Sequence, residues 1–264
     1  MVAAPCGVNA VPRPAGLDAR RGTCDPSPAF EPDGRELAMP TSPSRLGPAL
    51  LCALLGAASA AAAAPPWPDD ARTRVAALAL LETLNADLLS HDSATLTLER
   101  WCEAHGLAAP ARVTAARLRE AEGPADDEVR RLLRADAAEP VRHRHVRLSC
   151  GGRVLSEADN FYLPARLTPE MNRVLDTGDT AFGRAVAALR FQRRTLSADL
   201  LWQPLPPGWD RGAALPPPGP GPLAIPARVL RHRAVLVLPD GTPFSALVET
   251  YTGEVLAFPP PNLP

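Results

Sequence analysis

Arg144 poses the sharpest chemical question in this chain. The stretch Arg142–Cys150 alternates in the period of a half-buried strand, and Arg144 falls on the same face as Val146 and Leu148. A guanidinium turned inward without an acid beside it is costly. An ordinary salt bridge would resolve that cost, and so would a bound anion, because the planar fork suits two oxygens of one carboxylate. His143 and His145 share the other face, and His232 lies in a similar stretch further on. Imidazoles so placed could hold a metal, but no carboxylate or thiol completes the set at a usual spacing. They are read as an exposed His/Arg face, and no metal is expected. Ser93, Ser149, Ser156, Ser197 and Ser245 all lack the strand-to-helix elbow of a nucleophilic serine. All 28 basic residues are arginine. Schiff-base chemistry, a phosphate-cradling lysine and a lysine general base are therefore excluded.

The chain of 264 residues, with a net charge of −1, is long enough for one domain with a real core. That balance gives no reason to expect nucleic acid as a partner. The basic run Arg190–Arg194 is short and broken by Phe191, and a sheet edge or carboxylate pairing explains it more simply. Residues 1–38 are rich in Pro, Gly and Arg without apolar periodicity, and read as a disordered extension or a misassigned start. Residues 39–64 have a polar start ending in Arg45, an apolar run and small residues after Gly56, which is the pattern of a secretory signal peptide. The folded domain is expected over 65–264, periplasmic or secreted, or cytoplasmic if the leader is not one. No stable membrane insertion is expected after cleavage. Nothing sets an oligomeric state. Cys102 and Cys150 then remain, and both are expected as buried free thiols, because Cys102 faces inward on a helix and nothing places it beside the hairpin that ends in Cys150.

Several elements must position these residues. Val75, Leu78, Leu81, Leu84 and Leu88 form a helical stripe after the acidic start Asp69-Asp70. A second helix follows Asp92-Ser93, with Leu98, Trp101 and Cys102 inward and Gly106 at its end. A strand is expected over Arg112–Arg119 and a short charged helix over Asp126–Arg134, with its charges on solvated faces. Thr168-Pro169-Glu170 starts another helix. Asp179 or Thr180 caps the next, which carries Phe182-Gly183-Arg184, and a strand follows over Phe191–Trp202. Gln203–Pro222 is a Pro/Gly loop.

Two hairpins flank this helical segment. Gly151-Gly152 turns the first, and Asp240-Gly241 turns the second. A shift of 89 residues lays Arg142-His143-Arg144 on Arg231-His232-Arg233, Val146 on Val235, Gly152 on Gly241, Ser156 on Ser245 and Tyr162 on Tyr251. We read the pair as an internal duplication, or else as convergent hairpin chemistry. The expected fold is α+β: an antiparallel sheet of duplicated β-hairpins with helices packed on one face, enclosing a small ligand cavity.

In this order the motifs resemble the chorismate lyase family. The family's arginine eight residues before a hairpin glycine matches Arg144 and Gly152. Its Thr-Pro-Leu-Gly-Arg-type turn matches Thr180–Arg184, and its Thr-Leu-Thr-Arg-Asp-type strand matches Thr195–Asp199. The final hairpin with a late glutamate matches Gly241, Pro243 and Glu249, and an upstream Asp-Ser-x-Thr matches Asp92–Thr95. The resemblance implies a protein that binds a small aromatic carboxylate without metal or organic cofactor, and an enzyme that eliminates pyruvate from chorismate to leave 4-hydroxybenzoate. It implies Arg144 as clamp on the ring carboxylate, the backbone N–H of Phe182 as a second donor, and Glu249 as partner of the ring hydroxyl, with a part in proton transfer.

The chain departs from the family at three places. Ala94 stands in the substrate-binding position near the entrance, where the family has methionine, or else that methionine is displaced by two extra residues. A further family arginine appears as Asp159 or Asn160. Glu249 sits one residue too far from its glycine, which would turn it outward unless a bulge intervenes. An exported protein would also rarely meet chorismate. Two functions therefore stay open, a lyase of this kind and an exported, non-catalytic binder of a small carboxylate.

Overall fold

The computed structural model describes residues 66–262, so the expected extension 1–38 and leader 39–64 lie outside the described residues. The chain runs through helices α1 (Ala71–Ser90) and α2 (Ala94–Ala104), strand β1 (Val113–Arg117) and helix α3 (Asp127–Leu133) into the first hairpin, β2 (Arg142–Cys150) and β3 (Arg153–Tyr162). Helices α4 (Pro169–Thr177) and α5 (Phe182–Ala185) follow, then β4 (Gln192–Leu200) and the second hairpin, β5 (Arg228–Val237) and β6 (Pro243–Thr252). Among the described residues no helix is long and apolar enough to cross a membrane.

Local chemistry explains most element starts. Asp70 accepts from the N–H of Thr73 at 2.7 Å and Ser93 from that of Leu96 at 3.4 Å, each meeting a donor that the helix start leaves open. Thr168 does the same for Met171 at 3.2 Å, with Pro169 in the first turn. Helix α5 differs from expectation: its cap is Ala181, which makes no side-chain bond, and Asp179 instead uses its carbonyl to receive the N–H of Ala115 on β1. The stripe on α1 also sits slightly off the expected one. Thr73, Ala76, Ala77, Leu81, Leu84 and Leu88 are buried, and Val75 is exposed. Two alanines let the helix approach the sheet closely, and that rotates Val75 out.

The six strands form one antiparallel sheet in the order β1-β2-β3-β6-β5-β4. The two hairpins meet along β3 and β6, where Ser156 faces Tyr251 and Tyr162 faces Ser245. These are the residues that the 89-residue shift equates, so the pairing is symmetric about Asp159 and Val248. The turning glycines also agree, with φ of +81° at Gly152 and +85° at Gly241. The outer strands of the hairpins do not follow the same shift. Arg144 pairs with Asn160 and His232 pairs with Glu249, so His232, not Arg233, holds the place in β5 that Arg144 holds in β2. A one-residue slip moves a side chain to the other face, and Arg233 accordingly points away, to Glu128 at 2.6 Å.

The large helices cover one face of the sheet, which carries the main core. The short α3 adds a smaller cluster on the reverse face, with Leu133 against Leu163, Val235 and Ala246. The Gln203–Pro222 segment crosses the outside of the α1 start, where Arg74 donates to the carbonyl of Pro204 at 3.0 Å and Gly219 to that of Asp69 at 2.8 Å. The cysteine expectation is overturned: Cys102 and Cys150 form a disulfide, with Cα atoms 6.6 Å apart. Helix α2 lies across the covered face, so its inward side is the side that meets the end of β2.

Candidate functional site

The inner face of the sheet sets the site residues out in rows. One row runs Val146, Ala158, Glu249, His232, and the next runs Arg144, Asn160, Leu247, Ala234. Glu249 faces inward because the second hairpin contains a bulge: Leu236 faces Ser245 but Val237 faces Pro243, which leaves Phe244 unopposed. That extra residue cancels the one-residue excess noted in the sequence.

Glu249, Ala94 at the start of α2 and Phe182 at the start of α5 line one cavity, together with Asn160, Phe191 and Arg193. Its volume is about 20 Å³, room for roughly one water. The α2 start and the Thr180–Gly183 turn press together over it, and a Cβ on Gly183 would lie 2.9 Å from the Ser93 hydroxyl oxygen. Arg184 fixes the same turn to Glu99 at 2.6 Å. Arg144 does not reach the cavity wall, contrary to the expectation that it shares a cavity with Glu249. It lies one row along the same face, beside Asn160.

Arg144 is fully buried, yet its hydrogen-bond partners among the described residues are carbonyls alone. One terminal nitrogen donates to the carbonyl of Thr180 at 3.1 Å and lies 3.5 Å from that of Gly178. Its Nε and other terminal nitrogen have no partner among the described residues. Burial, and then the charge of Arg117, pull its pKa below the usual arginine range. Arg117 itself is held by Glu122 at 2.9 Å.

Around Glu249 the picture is the reverse. Arg193 donates to its Oε2 at 2.6 Å, with both side chains under 10% exposed, and the Tyr251 hydroxyl donates to the same oxygen at 3.1 Å. Burial lowers the Arg193 pKa, but the Glu249 charge outweighs it and leaves that pKa raised. Burial first, then the same carboxylate, push the Tyr251 phenol well above its ordinary value. Arg193 and Tyr251 escaped the sequence reading. Arg193 was hidden inside a basic run, although carboxylate pairing was one explanation given for that run. Tyr251 was legible as the i+2 neighbour of Glu249 on a strand.

The histidines on the reverse face correct one expectation. A carboxylate does complete their set, and it comes from across the hairpin: Asp159 pairs with His145, and its Oδ1 lies 2.6 Å from His145 Nδ1 and 2.9 Å from His143 Nε2. The surroundings nevertheless fit a hydrogen-bond relay. The N–H of Gly123 donates to His143 Nδ1 at 2.8 Å, so His143 Nε2 carries the proton and donates to Asp159. A metal-ligating histidine donates from its second nitrogen, whereas this one accepts there. Phe161 stacks on His143 with centroids 4.1 Å apart, which fixes the ring further.

His232 offers a measurable pH response. It is buried, its Nε2 bonds Asn85 Oδ1 at 2.8 Å, and its Nδ1 has no partner among the described residues. Burial, then repulsion from Arg193, lower its pKa from 6.5 to about 4. The unfolded chain therefore takes up this proton first as pH falls. The contribution is fully present above pH ~6.5 and is lost on the way down to about 4, an upper estimate of roughly 3 kcal/mol. Urea midpoints at neutral pH and near pH ~4.5 should diverge for the wild type, and His232→Gln should remove most of this component. An equal pH response in His232→Gln would show that other groups carry it.

No family model matches the chain. The uncharacterized protein y4mC of Sinorhizobium fredii (strain NBRC 101917 / NGR234) is 58% identical over 198 residues, which cover 75% of this chain and 84% of that protein. Among solved structures, PhnF from Mycobacterium smegmatis matches at 15% identity over 66% of this chain and 70% of that one, with a TM-score of 0.41. The effector domain of PhnF matches at 16% identity over 62% and 90%, with a TM-score of 0.39. The ligand-binding domain of a putative GntR-family transcriptional regulator from Bordetella bronchiseptica matches at 17% identity over 53% and 82%, with a TM-score of 0.34. Structural likenesses this loose carry no argument about function.

Proposed function

We propose, for a chain that belongs to the family of the uncharacterized protein y4mC of Sinorhizobium fredii, that the covered face of the sheet binds a small aromatic carboxylate. The observation that carries this reading is Arg144: a fully buried guanidinium that, among the described residues, has two unpartnered nitrogens and no carboxylate bonded to it. A bound carboxylate would supply the missing charge and oxygens. Phe182 and Phe191 line the same cavity as Glu249, which would receive a polar group at the far end of the ring. Since that cavity holds roughly one water as it stands, a ring enters only when the α2 start and the Thr180–Gly183 turn part.

A second reading keeps the same residues and adds chemistry: elimination of pyruvate from chorismate, with Glu249 assisting proton transfer. The ordered motif matches from Asp92 to Glu249 support it. The disulfide supports an oxidising compartment such as the periplasm, where chorismate would be scarce, and so favours the binder.

Two measurements on the chain lacking residues 1–64 test the pair. Calorimetric titration with 4-hydroxybenzoate should show saturable binding. Incubation with chorismate should leave it intact, whereas release of 4-hydroxybenzoate would establish the lyase. Absence of both binding and turnover would overturn both readings.

A further inference from the structure

The two buried arginines on the covered face are in opposite electrical situations. Arg144 has carbonyl partners only. Arg193 is already neutralised by Glu249 at 2.6 Å, and the Tyr251 hydroxyl closes on the same carboxylate oxygen. The groups around that pair add no further positive charge. His232, paired across the sheet with Glu249, is neutral at neutral pH because burial and Arg193 lower its pKa to about 4. Asp92, on the cavity wall, accepts from the backbone N–H of Arg193 and brings more negative charge.

Arg144 is therefore left, among the described residues of the covered face, with a charge that no bonded acid matches. A ligand carboxylate at Arg144 meets a desolvated cation. A second carboxylate at the other end would be taken out of water to face Glu249, with the local cation already committed. A neutral group fares differently there. The Arg193 Nε–H has no partner among the described residues, and Oε1 of Glu249 makes none of the bonds described above. A hydroxyl or amide can use both, as acceptor and donor.

We infer that the Arg193–Glu249 ion pair closes the far end of this site to a second acid group, so that it admits acids with one carboxylate and a neutral polar group opposite. This rests on the carboxylate-binding reading above and narrows it to monocarboxylates. Chorismate, with two carboxylates, then falls outside the ligand class.

Terephthalate and its monoamide, 4-carbamoylbenzoate, share a shape and differ by one charge, so calorimetry at neutral pH reads the inference directly. On the wild-type chain the monoamide should bind at least tenfold more tightly than terephthalate. Glu249→Gln frees the Arg193 charge and should reverse that order. The double variant Arg193→Met with Glu249→Gln removes the freed cation and returns the far end to its wild-type net charge, so it should restore the order, which separates a charge effect from damage to the fold. Equal wild-type affinities, or a preference unmoved by Glu249→Gln, would overturn the selectivity while leaving carboxylate binding intact. If neither compound nor 4-hydroxybenzoate binds the wild type, the carboxylate-binding reading fails and this inference falls with it. Should Glu249→Gln not fold, the wild-type comparison and the double variant still decide.

Discussion

Arg144→Met is expected to make the ligand-free protein more stable and to weaken ligand binding severely. The native guanidinium is fully buried with no acid bonded to it among the described residues. Exchange of a poorly compensated buried charge for an apolar chain of similar length commonly stabilises by roughly 1–4 kcal/mol. Against this, the Thr180 carbonyl loses its donor, at a cost of about 1 kcal/mol. The balance should raise the urea midpoint by an amount equivalent to roughly 1–2 kcal/mol. Binding of 4-hydroxybenzoate should weaken by about 100-fold or more, the scale of a charge-assisted bond to carboxylate. Arg144→Lys should recover only part of that affinity, because an ammonium cannot present a planar fork. The opposite pattern, a clear loss of stability with affinity unchanged, would make Arg144 a pin for the loop between α4 and α5, and no ligand would be needed to explain it.

Loss of the Cys102–Cys150 disulfide should be the largest single blow to stability. The bond closes a loop of 48 residues, and chain-entropy arguments assign such a loop about 4 kcal/mol. That is a large share of the ~5–15 kcal/mol that holds a typical domain together. It also ties the far end of α2, whose start lines the cavity, to the sheet, so the paired serine variant should lose ligand affinity together with stability. Denaturant melts with and without reductant check the first effect and calorimetry the second. A midpoint that does not respond to reductant would mean that the thiols are not joined in solution.

What could be read from the sequence was what short stretches of chain decide by themselves. Asp70, Ser93 and Thr168 start helices through bonds to residues three positions on, and Gly152 and Gly241 reverse the chain through their own φ. Strand alternation also placed Arg144 inward correctly. The failures share a physical cause, which is that they depend on partners brought in by tertiary packing. Asp159 reaches the two histidines only because β3 pairs with β2 in one register. Cys102 reaches Cys150 only because α2 lies across the covered face. Arg193 reaches Glu249 from the edge strand β4, two strands away from β6, and no spacing along the chain announces it. The alignment of the hairpins was right for β3 and β6 and wrong by one residue for β5, since the bulges at Leu155 and Phe244 match but the second turn is one residue longer than the first.

The matched places of Arg144 and His232 give the repeated halves a division of labour. In a symmetric dimer of two identical hairpins, each position would occur twice, and a ligand lying across the axis would meet the same group at both ends. Joined in one chain, the copies are free to differ. Here one copy offers a permanent cation. The other offers an imidazole that stays neutral at neutral pH, next to an already balanced ion pair. A bound acid would therefore sense a head and a tail, and could lie in one direction only.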